Sequence, residues 1–214
     1  MIHLCTEAFL GAGWLKRYRR IRPHFFCVMG FTDTGLYPGI SAAGRSIEDR
    51  KKTAIADLEF LIRGNQRQAQ YPLPPLVDGA SPVLITRAIA AKLKWPIIVM
   101  NAGSHIRPPY ACIDLGGHPA KCLSKGNALE IRTVLSLFQT GVEWGARLAP
   151  QIEGYVILSE CVVGGTTTAL GVLSALGYDA ATRMSSSHRV CNHPQKWRLV
   201  QQGLAHFKHY RTDS

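Results

Sequence analysis

The chain has 214 residues, 46% of them hydrophobic and 18% charged, which supplies a core for one sizeable α/β domain and excludes a disordered chain. Its 25 lysines and arginines against 14 acids leave a formal charge of +11, so its partners are expected to be anionic, whether phosphorylated metabolites or nucleic acid. No apolar run approaches the roughly 20 residues of a membrane span, and the start, M-I-H-L-C-T-E-A, lacks the basic-then-apolar order of a leader, so a cytoplasmic location is expected.

In chain order, Trp14 to Arg22 reads as a basic helix that Pro23 stops. Its cations, Lys16, Arg17, Arg19, Arg20 and Arg22, are interrupted by Tyr18. The run reads as a solvated helix face, with an RNA-binding arm as the alternative. Phe25 to Met29 is the first strand. It runs into the glycine-rich loop Gly30 to Gly44, which carries Thr32, Asp33, Thr34 and Ser41 as small polar residues. Ser46 caps the next helix, with Asp49 three residues on. Ile55, Leu58, Leu61 and Ile62 form its inner stripe, and Gly64 ends it. Tyr71 to Leu76 is a prolyl-rich surface excursion.

Ser81-Pro82 starts a helix reaching Lys94, and Pro96 to Met100 is a second buried strand. Residues 104–126 are irregular, a length that in a compact domain usually marks function. Asn127 to Ala149 is a long amphipathic helix, Tyr155 to Leu158 a third buried strand, Ala180 to Met184 a fourth, and Pro194 to His206 a last helix. The alternation predicts a single α/β domain over 1–214, three-layered, with a mainly parallel sheet and helices on both faces. The strands near 25–29, 96–100 and 155–158 are expected side by side, with Gly35 and Gly164 at the same end of the sheet.

The chemistry gathers after the third strand. Glu160 follows it, Gly164 and Gly165 break the pattern, and Thr166, Thr167 and Thr168 are placed to cap a helix with Ala169, Leu170, Leu173 and Leu176 as its apolar face. A strand, glycine turn and helix aim backbone N–H groups and a helix dipole at one point, which suits a phosphate. The alternative is a tight βα connection with a structural glycine pair. No G-K-[ST] follows and G-x-G-x-x-G is absent, so neither standard phosphate motif applies. Glu160 is a candidate general base or ribose-hydroxyl acceptor, and otherwise a cap on the turn. Lys196, at a helix start, would add a point charge there or is a plain surface lysine. His188, Cys191 and His193, with Cys161, would bind zinc or else are hydrogen-bonding loop residues. The six cysteines show no C-x-x-C pair, and neither a disulfide nor a bound metal is expected.

Taken together, G-F-T-D-T-G-L-Y-P-G-I-S-A-A-G, G-A-S-P-V-L-I-T-R-A, I-D-L-G-G, K-C-L-S-K-G, S-E-C-V-V-G-G-T-T-T-A-L and C-N-H-P-Q-K-W resemble an uncharacterised cyanobacterial and archaeal family over nearly the whole chain. More weakly, and in the same order, they resemble nicotinate-nucleotide:dimethylbenzimidazole phosphoribosyltransferase, which builds the lower ligand of cobalamin. That enzyme's G-E-M-G-I-G-N-T-T is matched at Glu160, Gly164, Thr166 and Thr167, and departed from at Ser159, Val162 and Gly165. Its D-H-G…G-V-S resembles Asp33-Thr34-Gly35…Gly39-Ile40-Ser41, with Thr34 in place of His. Its V-V-D-A-G resembles the stretch from Ile98 to Gly103, with Asn101 in place of Asp, and its phosphate-contacting Lys falls at Lys196.

The resemblance implies a Rossmann-like domain that moves phosphoribose from nicotinate mononucleotide to a benzimidazole-type base without metal or cofactor. It implies Glu160 as catalytic, Gly164, Gly165, Thr166, Thr167 and Lys196 as phosphate- and ribose-binding, and Asp33, Ser41 and Asn101 as the base pocket. The implied partners are a nucleotide, an aromatic base and a second copy of the chain, with no membrane or nucleic acid. The enzyme's general-base Glu lies in a further C-terminal segment, so the chain is expected to correspond to the family's N-terminal portion.

Overall fold

Four parallel strands set the frame of the computed structural model, which describes residues 4–5, 7–76 and 79–212. They are β1 (His24–Met29), β2 (Ile97–Asn101), β3 (Ile113–Asp114) and β4 (Val156–Cys161), in the order β3-β2-β1-β4. Phe26 of β1 lies opposite Ile98 on one side and Leu158 on the other. The three expected strands are therefore adjacent, and their following loops leave from one edge. Part of the start read as leader-free, residues 1–3 and 6, lies outside the described residues.

β1 is central and both of its faces are covered, which is why it is apolar without alternation. Phe25, Cys27 and Met29 pack on one face with Ile55, Leu58 and Leu61 of α2 (Ile47–Arg63) and Val83 of α3 (Val83–Leu93). Phe26 packs on the other with Leu137, Trp144 and Leu148 of α4 (Ile131–Leu148). Helices on both faces make the three-layer α/β architecture read from the sequence.

α2 is encoded locally. Ser46 Oγ accepts the Asp49 N–H, the Asp49 carboxylate accepts the Ser46 N–H, and Gly64 ends the helix at φ 69°. Ser46→Ala is expected to cost about 1 kcal/mol, the usual value of such a cap, read as a shift in urea midpoint at constant slope. Glu59 of this helix is wholly buried and accepts N–H bonds from Arg63, Gln70 and Tyr71. It thereby pins the prolyl excursion, whose Tyr71 and Leu73 pack on the core.

Four elements differ from expectation. α1 spans Ala8–Tyr18, because the chain turns at Arg20 (φ 69°) before Pro23 is reached. β4 is not a buried strand but an edge, with Leu158 71% exposed. α4 covers β1 and β2 and stops short of it; Phe138 of α4 is equally exposed. Ala180–Met184 is a turn rather than a strand, and Ala180 packs with Leu170 of α5 (Gly165–Ala175) and Val200 of α6 (His193–Thr212). The irregular segment contains the two-residue β3, which extends the sheet past β2. Among the described residues no helix is long and apolar enough to cross a membrane.

Candidate functional site

The loops after β1 and β4 meet at the carboxyl edge of the sheet. Their contact is between glycines: a Cβ on Gly164 would lie 2.7 Å from the Gly35 nitrogen, and one on Gly35 would lie 2.4 Å from the Val163 carbonyl oxygen. Gly164 also has φ 87° and forms the N-cap of α5. Its glycine character is accounted for by packing and backbone conformation together. Beside it, Thr34 Oγ1 is buried, receives the Thr32 hydroxyl at 3.0 Å and accepts the Leu123 N–H at 3.1 Å. The far end of the long irregular segment is thus tied into the first glycine loop.

The start of α6 clamps the same loop. Asn192 Nδ2 donates to the Gly39 carbonyl at 2.6 Å, and Gln195 Nε2 donates to that of Pro38. One residue on, Lys196 is only 1% exposed. Its ammonium donates to Thr166 Oγ1 at 2.9 Å, in the first turn of α5, and to the Ser185 carbonyl. No ion pair involves it among the described residues. Burial lowers its pKa from the usual 10.5, opposed only by the Cys191 thiol. A buried ammonium without a carboxylate, at a helix N-terminus, is poised to receive an anion.

Thr166 therefore serves Lys196 and does not cap α5, a task that Gly164 performs with its carbonyl. A cavity of about 150 Å³ opens alongside, lined by Ser41, Thr53, Asp57, Glu160, Gly164, Gly165, Thr166 and Ser187. Glu160 is part of its lining, and a Cβ on Gly165 would lie 2.9 Å from one of its carboxyl oxygens. Partial burial raises that carboxyl above its ordinary pKa, and the Val162 N–H works against the rise. Ser41 Oγ is 3.4 Å from Ser187 Oγ and accepts the Ala43 N–H.

The other residues read from the sequence are placed differently. Thr167 is fully buried, and its hydroxyl has no hydrogen-bond partner among the described residues. Asp33 is exposed. Asn101 Oδ1 accepts the N–H groups of Gly103 and Ser104 at the end of β2. Neither of these two lines the cavity. His188, Cys191 and His193 do not converge: Cys191 Sγ turns to the Met184 carbonyl, and Cys161 Sγ points to that of Ala54. Among the described residues no group of three or more His, Cys, Asp or Glu is arranged to hold a metal ion.

Sequence reasoning missed Asp57. It lies on α2, accepts the Ser81 hydroxyl at 2.8 Å, and has its pKa raised from 3.8 to about 6 by burial. In the fold the carboxyl keeps its proton up to about pH 6, but in the unfolded chain only to 3.8. Folding takes up a proton between those values, so stability falls as pH rises through that window. Asp57→Asn is expected to raise stability at pH 7.5 by roughly 1–3 kcal/mol and leave it unchanged below pH 3.8, which urea denaturation at the two pH values checks.

Against solved structures, the fold is similar to CobT from Thermus thermophilus, with a TM-score of 0.63, 16% identity, and coverage of 86% of this chain and 50% of that one. No protein-family model matches the chain. In sequence it is 60% identical to a UPF0284 protein of Nostoc sp. (strain PCC 7120), over 95% of this chain and 53% of that protein. UPF0284 proteins of Cyanothece sp. (strain PCC 7425) and Trichodesmium erythraeum are 56% and 54% identical, each over 95% of this chain and over 55% and 56% of their own length. The chain spans about half the length of the curated relatives it matches.

Proposed function

We propose that the chain holds the nucleotide in a phosphoribosyltransferase site, moving phosphoribose from nicotinate mononucleotide to a benzimidazole-type base on the way to cobalamin. The observation that carries the proposal is Lys196, an ammonium 1% exposed at the N-terminus of α5, with a threonine hydroxyl and a carbonyl but no carboxylate as partners. A phosphate supplies the missing charge. Support also comes from the motif resemblance, which matches at Glu160, Gly164, Thr166, Thr167 and Lys196, and from the fold likeness to CobT.

In this reading the 5′-phosphate sits against Lys196, Thr166 and the Gly164–Gly165 turn. The ribose lies toward the cavity, where Glu160 faces its hydroxyls and the positive charge that develops at C1′. Ser41 and Ser187 line the side from which the acceptor enters. Neither a metal nor a cofactor is needed for this transfer.

Calorimetric titration with nicotinate mononucleotide and with its dephosphorylated riboside tests the proposal. The mononucleotide is expected to bind at least roughly tenfold tighter, the smaller end of what a charge-assisted contact supplies. Equal affinities would sink the phosphate assignment.

A further inference from the structure

We infer that the cavity at the amino edge of the sheet, between the end of α1 and the starts of β2 and β4, binds single-stranded nucleic acid. The inference is independent of the phosphoribosyl reading, because this cavity lies at the edge opposite Lys196. The six residues of β1 separate the two edges by about 20 Å. It also adds a partner that the motif resemblance does not imply.

The cavity has a volume of about 820 Å³ and draws its lining from the basic run, from the residues that lead into β2 and from Tyr155. Its walls are aromatic and cationic together. Trp14, Tyr18 and Tyr155 form a closed cluster, with ring centroids 5.0 to 5.6 Å apart. That cluster fastens α1 onto the start of β4, so the basic run is not a free arm. Trp14 is still 51% exposed beside its two ring neighbours, which leaves it surface for a further ring to stack on. Trp95 also lines the space and is held by stacking on Phe25 of the core at 6.1 Å.

Lys16, Arg19, Arg20 and Arg22 line the same space, and no carboxylate does. All four are exposed, and among the described residues none forms an ion pair. Lys92 and Lys94, exposed on either side of the lining Leu93, add to the positive field. Cations gathered without acids, against low-dielectric walls, concentrate polyanions.

Charge and shape together select the occupant. A mononucleotide brings one phosphate of roughly two charges against four lining cations. A single strand brings a phosphate with every nucleotide and a flat base beside each, the two chemistries that the walls offer. A duplex keeps its bases stacked on one another and leaves the rings without partners. An anionic membrane would also meet the cations, but it takes up apolar side chains that project outward. Tyr18, Trp95 and Tyr155 are instead half-buried around a hollow.

Fluorescence anisotropy with end-labelled oligouridylate and oligothymidylate of about 12 nucleotides, over about 50 to 200 mM salt, tests the inference. Log affinity is expected to fall with log salt at a slope of roughly −3, four contacted phosphates at about −0.7 each. The triple variant Lys16→Gln, Arg19→Gln, Arg22→Gln changes only exposed side chains and should flatten that slope by roughly 2. Trp14→Ala should weaken binding roughly 5- to 150-fold at unchanged slope. Trp14→Phe keeps a ring against Tyr18 and Tyr155 and should restore most of the loss. Nicotinate mononucleotide affinity should be the same in every variant. The tighter of the two oligomers assigns the strand as RNA or DNA. The inference is overturned if neither oligomer binds at the lowest salt, or if a duplex of the same length binds as tightly as the single strand. It is also overturned if uridine monophosphate binds as tightly as the oligomer, or if vesicles of phosphatidylcholine and phosphatidylserine capture the chain while neither oligomer does.

Discussion

Lys196→Met is expected to weaken nicotinate mononucleotide binding roughly 10- to 150-fold, the equivalent of about 1.5–3 kcal/mol for a charge-assisted bond, and to leave binding of the riboside unchanged. Methionine keeps the buried stem of the side chain and removes only the charge. The domain should not be weakened by the change, because the ammonium is buried against a hydroxyl and a carbonyl alone, and an unpaired buried charge opposes folding. The pH behaviour follows the same logic. Without an anion the folded chain releases this proton below 10.5, where the unfolded chain still holds it, so wild-type stability rises with pH through that interval. Phosphate-bearing ligand should flatten the rise by holding the proton in place. Calorimetry with the two ligands, and denaturation with and without the mononucleotide, read both effects. Intact mononucleotide affinity in the variant would show that the phosphate lies elsewhere.

Gly164→Ala is expected to cost roughly 2–5 kcal/mol, the combined penalty of overpacking and of a left-handed backbone on a residue with a side chain. For a chain of this length that lowers Tm by about 5–15 °C. The new methyl would stand 2.7 Å from the Gly35 nitrogen and 2.8 Å from its Cα, both backbone atoms with little room to retreat. Gly171→Ala, two turns into α5, is the matched control. Its methyl would meet Leu123 and Val200 at 3.9 Å, an ordinary contact, so the change should be neutral or stabilise the helix by up to ~1 kcal/mol. Thermal denaturation separates the two. Equal tolerance of both substitutions would remove the close approach of the two glycine loops as a determinant of the fold.

What the sequence disclosed divides along the distance over which each feature is decided. The helix from Ser46 to Gly64 was legible to the residue, because its cap, stripe and terminating glycine are all within the segment. The adjacency of the three main strands and the placing of Gly35 and Gly164 at one end of the sheet followed from the βα alternation and the rule that such crossovers share one hand. The exposure of Leu158 was not legible, since it depends on where α4 comes to rest. Within the site, the glycine turn announced itself by its pattern, and Lys196 came from its place at a helix start, where the motif resemblance also puts a phosphate-contacting lysine. Nothing local marks Lys196 as buried; α5, the 185–192 loop and α6 do that jointly. Asp57 reads as one polar position on an amphipathic helix, and only burial in the assembled fold gives it an unusual pKa, against the lowering effect of the Ser81 hydroxyl. Asn101 shows the reverse case. A strand-end position that looks like a pocket residue spends its side chain on the next turn.

The clamp by α6 also has a consequence for the order in which the protein acquires function during synthesis. Asn192 reaches Gly39 across 153 positions, and Ser41 approaches Ser187 across 146. Closing contacts of such span carries an entropic cost that is repaid only once both ends are present and docked. A growing polypeptide therefore exposes the first glycine loop early and leaves it without its ceiling until α6 has left the ribosome. Partly assembled forms lack the lysine and the α5 terminus in register, so they offer no place for a phosphate. On the proposed reading, a phosphate-bearing ligand is expected to bind the finished domain alone and to stabilise it by mass action against every incomplete form.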